Sequence, residues 1–213
     1  MYILLEGMPG TGKTAIAKQL MQMTGASYMK SVISDTKFGN QLRQLRTSGL
    51  EKELELLILS DLAMDELRVQ RILQNGSLIR DKAFCATLGH LSVHGFVNYT
   101  KGLPEILQQG YQQLRNFSCM PDIAVHLSLN EDKIRQHFTD KKDISEIDKF
   151  LMEHIDLYRR QDEAVAEAMH TVYGNRFREI ECFQGTVAWM AQAILDMIQE
   201  RGSMNEENKS SFD

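Results

Sequence analysis

Proline is scarce in this 213-residue chain, at only 3 residues, which excludes collagen-like and polyproline architectures. Cysteine is as rare. Cys85, Cys119 and Cys182 stand far apart with no Cys-x-x-Cys pair. A zinc knuckle or dithiol redox motif is thus unsupported, and three reduced thiols in a cytoplasmic protein are expected. A basic excess is also lacking: 24 Lys and Arg against 29 Asp and Glu leave a formal net charge of −5. Proteins that grip nucleic-acid polymers by their phosphates usually carry the opposite balance. Any polyanion contact should therefore be local, on the scale of one phosphate site. No apolar run approaches the ~20 residues of a membrane span, so no membrane partner is expected. The opening residues have neither a basic n-region nor an apolar h-region, so no signal peptide is expected either. What is present is 43% hydrophobic and 25% charged, an ordinary globular composition. A chain of this length can bury its own core without a disulfide or metal.

Short apolar runs alternate with longer segments of helical periodicity. Strands are expected at residues 2–5, 27–33, 77–81, 122–129 and 176–183, because brief apolar runs suit buried parallel strands. Helices are expected from Thr14, over 39–47, 50–74 and 104–116, after Asn130, and over 145–173 and 185–200, from apolar positions at i, i+3, i+4 and i+7. Residues 83–99 read as helix interrupted by Gly89 and Gly95. Asn75-Gly76 and Gly174-Asn175 are helix stops. Such alternation predicts an α/β fold with a five-stranded parallel sheet. Residues 1–201 read as one domain, and the polar segment 202–213 as a disordered tail. The six His and twelve Met need no function, and His90, His94 and His126 read as structural.

The strongest chemical signal is Gly7-Met8-Pro9-Gly10-Thr11-Gly12-Lys13-Thr14, a full match to G-x-x-x-x-G-K-[ST] between an apolar strand and a helix. Glycines let the backbone wrap a phosphate with its N–H groups inward. The following helix aims its positive end at the same point. Lys13 reaches the β- and γ-phosphates, and the Thr14 hydroxyl is a magnesium ligand. ATP and Mg2+ are the expected cofactors. No Asn-Lys-x-Asp string for guanine is present, which argues against a GTPase, and motors and AAA modules usually need more chain.

Three further features follow the loop. Asp35-Thr-Lys-Phe-Gly-Asn-Gln-Leu-Arg43 comes after the second strand. Leu56-Leu-Ile-Leu-Ser-Asp61 opens a long helix that leads to Gly76-x-Leu-Ile-x-Asp81-Lys82. Pro121-Asp-Ile-Ala-Val-His-Leu-Ser-Leu is followed by a basic loop and a helix bearing Tyr158. In order and spacing these resemble the P-loop nucleoside and nucleotide kinases, thymidylate kinase above all, over most of residues 1–200. The resemblance implies a three-layer P-loop NTPase fold, helices flanking the sheet, with a small lid at about 138–146. It implies ATP- and Mg-dependent phosphoryl transfer to a small acceptor, a nucleoside monophosphate or a deoxynucleoside. A homodimer, as in thymidylate kinases, is compatible with helix 50–74, which has apolar residues on more than one side.

Roles follow for single residues. Lys13 and the loop amides hold the donor phosphates. Thr14 and Asp81 are the metal candidates, Asp81 because it ends a strand where α/β folds bind ligands; a helix N-cap is its competing role. Asp35 is placed to take a proton from a substrate hydroxyl, or to cap a helix. Arg43 suits an acceptor phosphate through its guanidinium, with solvated surface as the alternative. Lys82 stands where the family has arginine, keeping charge and losing the bidentate fork. Lys141 and Lys142 are lid candidates within the balanced run Asp140-Lys-Lys-Asp143. The family's base-reading arginine aligns with Leu62, so the resemblance carries the reaction type and leaves the acceptor open. Two alternatives stand beside it: a nucleotide-binding regulatory module that transfers nothing, and a kinase of a non-nucleotide alcohol.

Overall fold

The computed structural model describes residues 1–31, 51–93, 105–128, 130–140, 153–182 and 185–210. Five parallel strands form one sheet in the order β2-β3-β1-β4-β5. The strands are β1 (Tyr2–Glu6), β2 (Ser27–Lys30), β3 (Leu78–Asp81), β4 (Ile123–Ser128) and β5 (Phe177–Glu181). Described helices are α1 (Lys13–Thr24), α2 (Glu51–Asn75), α3 (Phe84–Val93), α4 (Glu105–Phe117), α5 (Glu131–Asp140), α6 (Ile155–Tyr173) and α7 (Val187–Ser210).

β1 lies at the centre because all five of its residues are buried, as a strand covered on both faces requires. Its side chains alternate between two cores. Ile3 and Leu5 join Val125 and Leu127 of β4 under α1 and α7, where Ile16, Leu20, Met190 and Ile194 complete the layer. Tyr2 and Leu4 join Leu78 and Ala124 on the other face, against Ile58 and Leu62 of α2, Phe84 of α3, Leu114 of α4 and Met169 of α6. The result is the expected three-layer α/β/α arrangement. From β1 the chain goes to the β2 edge, returns to β3, and then crosses to β4 and β5 on the far side of β1. The strand ends around β1 thus border the crevice where open α/β sheets bind ligands.

Two details differ from the sequence expectation. Gly89 does not interrupt α3. It is buried within the helix, and a Cβ there would lie 2.5–2.8 Å from the backbone and side chain of Val165 on α6, so the glycine permits close packing of α3 on α6. The last helix also runs through Ser210, over much of the segment expected to be a disordered tail. Gly202 is tolerated inside it at about 1 kcal/mol, while Met204, Glu206, Glu207 and Lys209 are good helix formers. Among the described residues, no helix is long and apolar enough to cross a membrane.

Candidate active site

The loop from Gly7 to Gly12 joins the end of β1 to the start of α1. Positive φ at Gly7, Gly10 and Gly12 gives it its shape, a conformation that side chains disfavour. Gly7 has a second reason: a Cβ there would sit 2.3 Å from the Leu127 carbonyl oxygen of β4. Gly12 caps α1 without a side-chain bond, and the first turn of α1 has no acidic residue. That helix end is left to attract an anion through its N–H groups and dipole. Thr14, in this first turn, is exposed.

Lys13 lies across the loop, only 8% exposed. Its ammonium donates to the Gly7 carbonyl at 2.7 Å, the Met8 carbonyl at 2.8 Å and the Thr11 hydroxyl at 3.1 Å. Burial, aided by the Lys82 charge, lowers its pKa to about 8, against the pull of Asp81 and Glu6. A phosphate would reverse that shift by pairing the buried cation.

Asp81 ends β3, beside Leu5 in register. Its Oδ2 accepts from the Tyr28 hydroxyl of β2 at 3.1 Å. Its Oδ1 is buried without a hydrogen-bond partner, an arrangement unlike a helix cap. An orphan buried carboxylate oxygen at a strand end is a donor that suits a hydrated magnesium ion, and the exposed Thr14 hydroxyl at the start of α1 is the second candidate ligand. Among the described residues, no three His, Cys, Asp or Glu side chains cluster to hold a metal, so such an ion would draw most ligands from phosphate and water.

Lys82 is half-buried, with φ of 72°. A Cβ-bearing residue in the left-handed region costs about 1–2 kcal/mol, and two bonds from the end of β1 hold it there. The Lys82 N–H donates to the Leu5 carbonyl at 3.0 Å. The next N–H, of Ala83, donates to Glu6 Oε1. Glu6 is fully buried, and burial pushes its carboxyl up to about 7, despite that N–H bond and the Lys82 and Lys13 charges. Nothing in the sequence pattern separates Glu6 from the loop it precedes. The available signal was a carboxylate closing an otherwise apolar strand.

The structure therefore brings Lys13, Asp81 and Lys82 together around the phosphate loop and adds Glu6. Asp35, Arg43, Lys141 and Lys142 lie outside the described residues. Leu62, at the family's base-reading position, is a core residue 1% exposed. His126, expected to be structural, is buried, with Nε2 3.0 Å from Asp162 of α6.

Residues 3–70 match the model of the ATPase family associated with various cellular activities (AAA), a span that includes β1, the phosphate loop and α1. No curated protein matches the chain. Among solved structures, thymidylate kinase from Candida albicans is similar with TM-score 0.68 and 16% identity, over 94% of this chain and 92% of that one. Deoxyadenosine kinase from M. mycoides is similar with TM-score 0.65 and 13% identity, over 94% of this chain and 100% of that one. Thymidylate kinase from Ehrlichia chaffeensis is similar with TM-score 0.59 and 16% identity, over 93% and 98%. The chain has the P-loop kinase fold. Within that fold, the strand-end pair Asp81-Lys82 stands next to the phosphate loop through the β1–β3 register.

Proposed function

We propose that the protein is an ATP- and magnesium-dependent kinase of a small acceptor, a nucleoside monophosphate or a deoxynucleoside, acting in the cytoplasm. The observation that carries this reading is the pairing of a complete phosphate loop with the unpartnered Asp81 oxygen at the adjacent strand end. Phosphoryl transfer needs positioning and charge neutralisation more than covalent chemistry. Lys13 supplies a desolvated cation for the donor phosphates, and the loop glycines supply N–H groups. Thr14 and Asp81 would hold the magnesium, which neutralises phosphate charge when bound. Lys82 adds a second cation whose field already reaches Lys13.

The acceptor class is supported by the fold's likeness to enzymes named as thymidylate and deoxyadenosine kinases. Leu62 in the core argues that thymine is not read from this position on α2. Asp81→Asn tests the metal assignment. The variant is expected to lose transfer by about 100-fold, on the scale of one electrostatic group, and to need more magnesium for half its maximal rate. Wild-type rate and magnesium dependence in Asp81→Asn would contradict the assignment.

A further inference from the structure

Glycines at three positions leave the phosphate loop little internal stiffness. Four of its carbonyls nonetheless have side-chain donors. Lys13 serves Gly7 and Met8, and the Thr11 hydroxyl also reaches Met8 at 3.0 Å. The other two donors come from outside the loop. The Tyr158 hydroxyl of α6 donates to the Pro9 carbonyl at 2.7 Å. The Cys182 thiol, just past β5, donates to the Thr11 carbonyl at 3.1 Å. Lys13 is also the group that reaches bound phosphates, so its hold on the loop competes with its task. The two outside donors have no such competition.

Both donors are built in. Tyr158 is 1% exposed and Cys182 is 3% exposed. One turn beyond Tyr158, Asp162 binds buried His126 of β4, which fixes the same face of α6 to the sheet. Burial holds the Tyr158 hydroxyl protonated well above its ordinary range, and pushes the Cys182 thiol up to about 12. Both groups remain donors at neutral pH.

Among the described residues every peptide bond is trans, and a trans peptide is planar with its C=O and N–H on opposite sides. Drawing the Pro9 carbonyl toward α6 therefore turns the Gly10 N–H away from α6. Drawing the Thr11 carbonyl toward Cys182 turns the Gly12 N–H the other way in the same manner. We propose that Tyr158 and Cys182 are positioning residues of the phosphate loop, which hold the Pro9 and Thr11 carbonyls so that the Gly10 and Gly12 N–H groups are set to receive a nucleotide's phosphates. This rests on the donor-nucleotide half of the kinase reading and is independent of the acceptor.

Calorimetric titration with magnesium-ATP tests it, on the wild type, Lys13→Ala, Tyr158→Phe, Cys182→Ala and Cys182→Ser, with the melting temperature of each free protein measured alongside. Tyr158→Phe keeps the packed ring and removes one hydrogen bond. It is expected to weaken binding about 3- to 10-fold. Cys182→Ala removes a weaker donor and is expected to weaken binding about 2-fold, while Cys182→Ser keeps a donor and restores it. In turnover, the loss in Tyr158→Phe falls on KM for ATP and spares KM for the acceptor. A merely structural tyrosine would lower the melting temperature and leave affinity intact. Wild-type affinity in Tyr158→Phe overturns the proposal. If that variant does not fold, equal affinity in Cys182→Ala, Cys182→Ser and wild type overturns it. A wild type that binds no magnesium-ATP overturns the donor-nucleotide reading itself.

Discussion

Lys13 is a buried cation surrounded by carbonyls, with a lowered pKa and no ion pair among the described residues, so it is held ready for an anion. Lys13→Ala is expected to cut transfer by at least about 100-fold, with the fold intact by circular dichroism. Glu6 makes a different prediction. Its carboxyl is raised from an ordinary 4.5 to about 7, so the folded state binds a proton that the unfolded state has already released between those values. Stability from this group is therefore full below about 4.5 and falls as pH rises to about 7. Glu6→Gln keeps an acceptor for the Ala83 N–H and removes the titration. Urea unfolding across that pH range should show a flatter stability profile for Glu6→Gln than for wild type; parallel profiles would contradict the burial argument. Lys13 and Thr14 were legible because their spacing is a chemical pattern. Glu6 was not, because its role depends on an Ala83 N–H that lies 77 residues away in sequence.

Between elements, two contacts set the frame of the site. Arg80 of β3 is 1% exposed and pairs with Glu66 and Asp65 of α2, which are themselves buried. Removing one partner of a buried ion pair strands the other, at about 3–5 kcal/mol. Arg80→Met is expected to lose that much in urea unfolding, because it takes from buried Glu66 its cation, while Asp65 keeps Arg68. Gly89→Ala would drive a methyl into the Val165 backbone at 2.7 Å. Overpacking costs about 1–3 kcal/mol, and the cost should exceed that of Ala at open, exposed Gly76. Equal unfolding midpoints for the two would contradict the close approach of α3 and α6. Elements were legible from period and apolar runs, so all five strands fall where expected, within a few residues. Gly89 was misread as a break because a helix contact made by a missing side chain leaves no trace in local pattern. The helical course of α7 to Ser210 was missed for a related reason, since polar helix formers read equally well as tail.

For the whole molecule, the alternation of strands and helices gave the α/β class, but the order β2-β3-β1-β4-β5 follows from nonlocal pairing that no local pattern encodes. The same topology brings Lys13, Asp81, Lys82 and Glu6 together from three segments. A ligand that binds only the folded state stabilises it by about 2.7 kcal/mol at a concentration 100 times its Kd. Magnesium-ATP should thus raise the melting temperature of the wild type and not of Lys13→Ala. The most direct measurement is ADP release from magnesium-ATP against a panel of nucleosides and nucleoside monophosphates, with Lys13→Ala as control. The account predicts release that depends on one acceptor or a small related set and vanishes in the control. ATP binding without acceptor-dependent release across the panel would contradict it, and would favour a nucleotide-binding module or a kinase of a non-nucleotide alcohol.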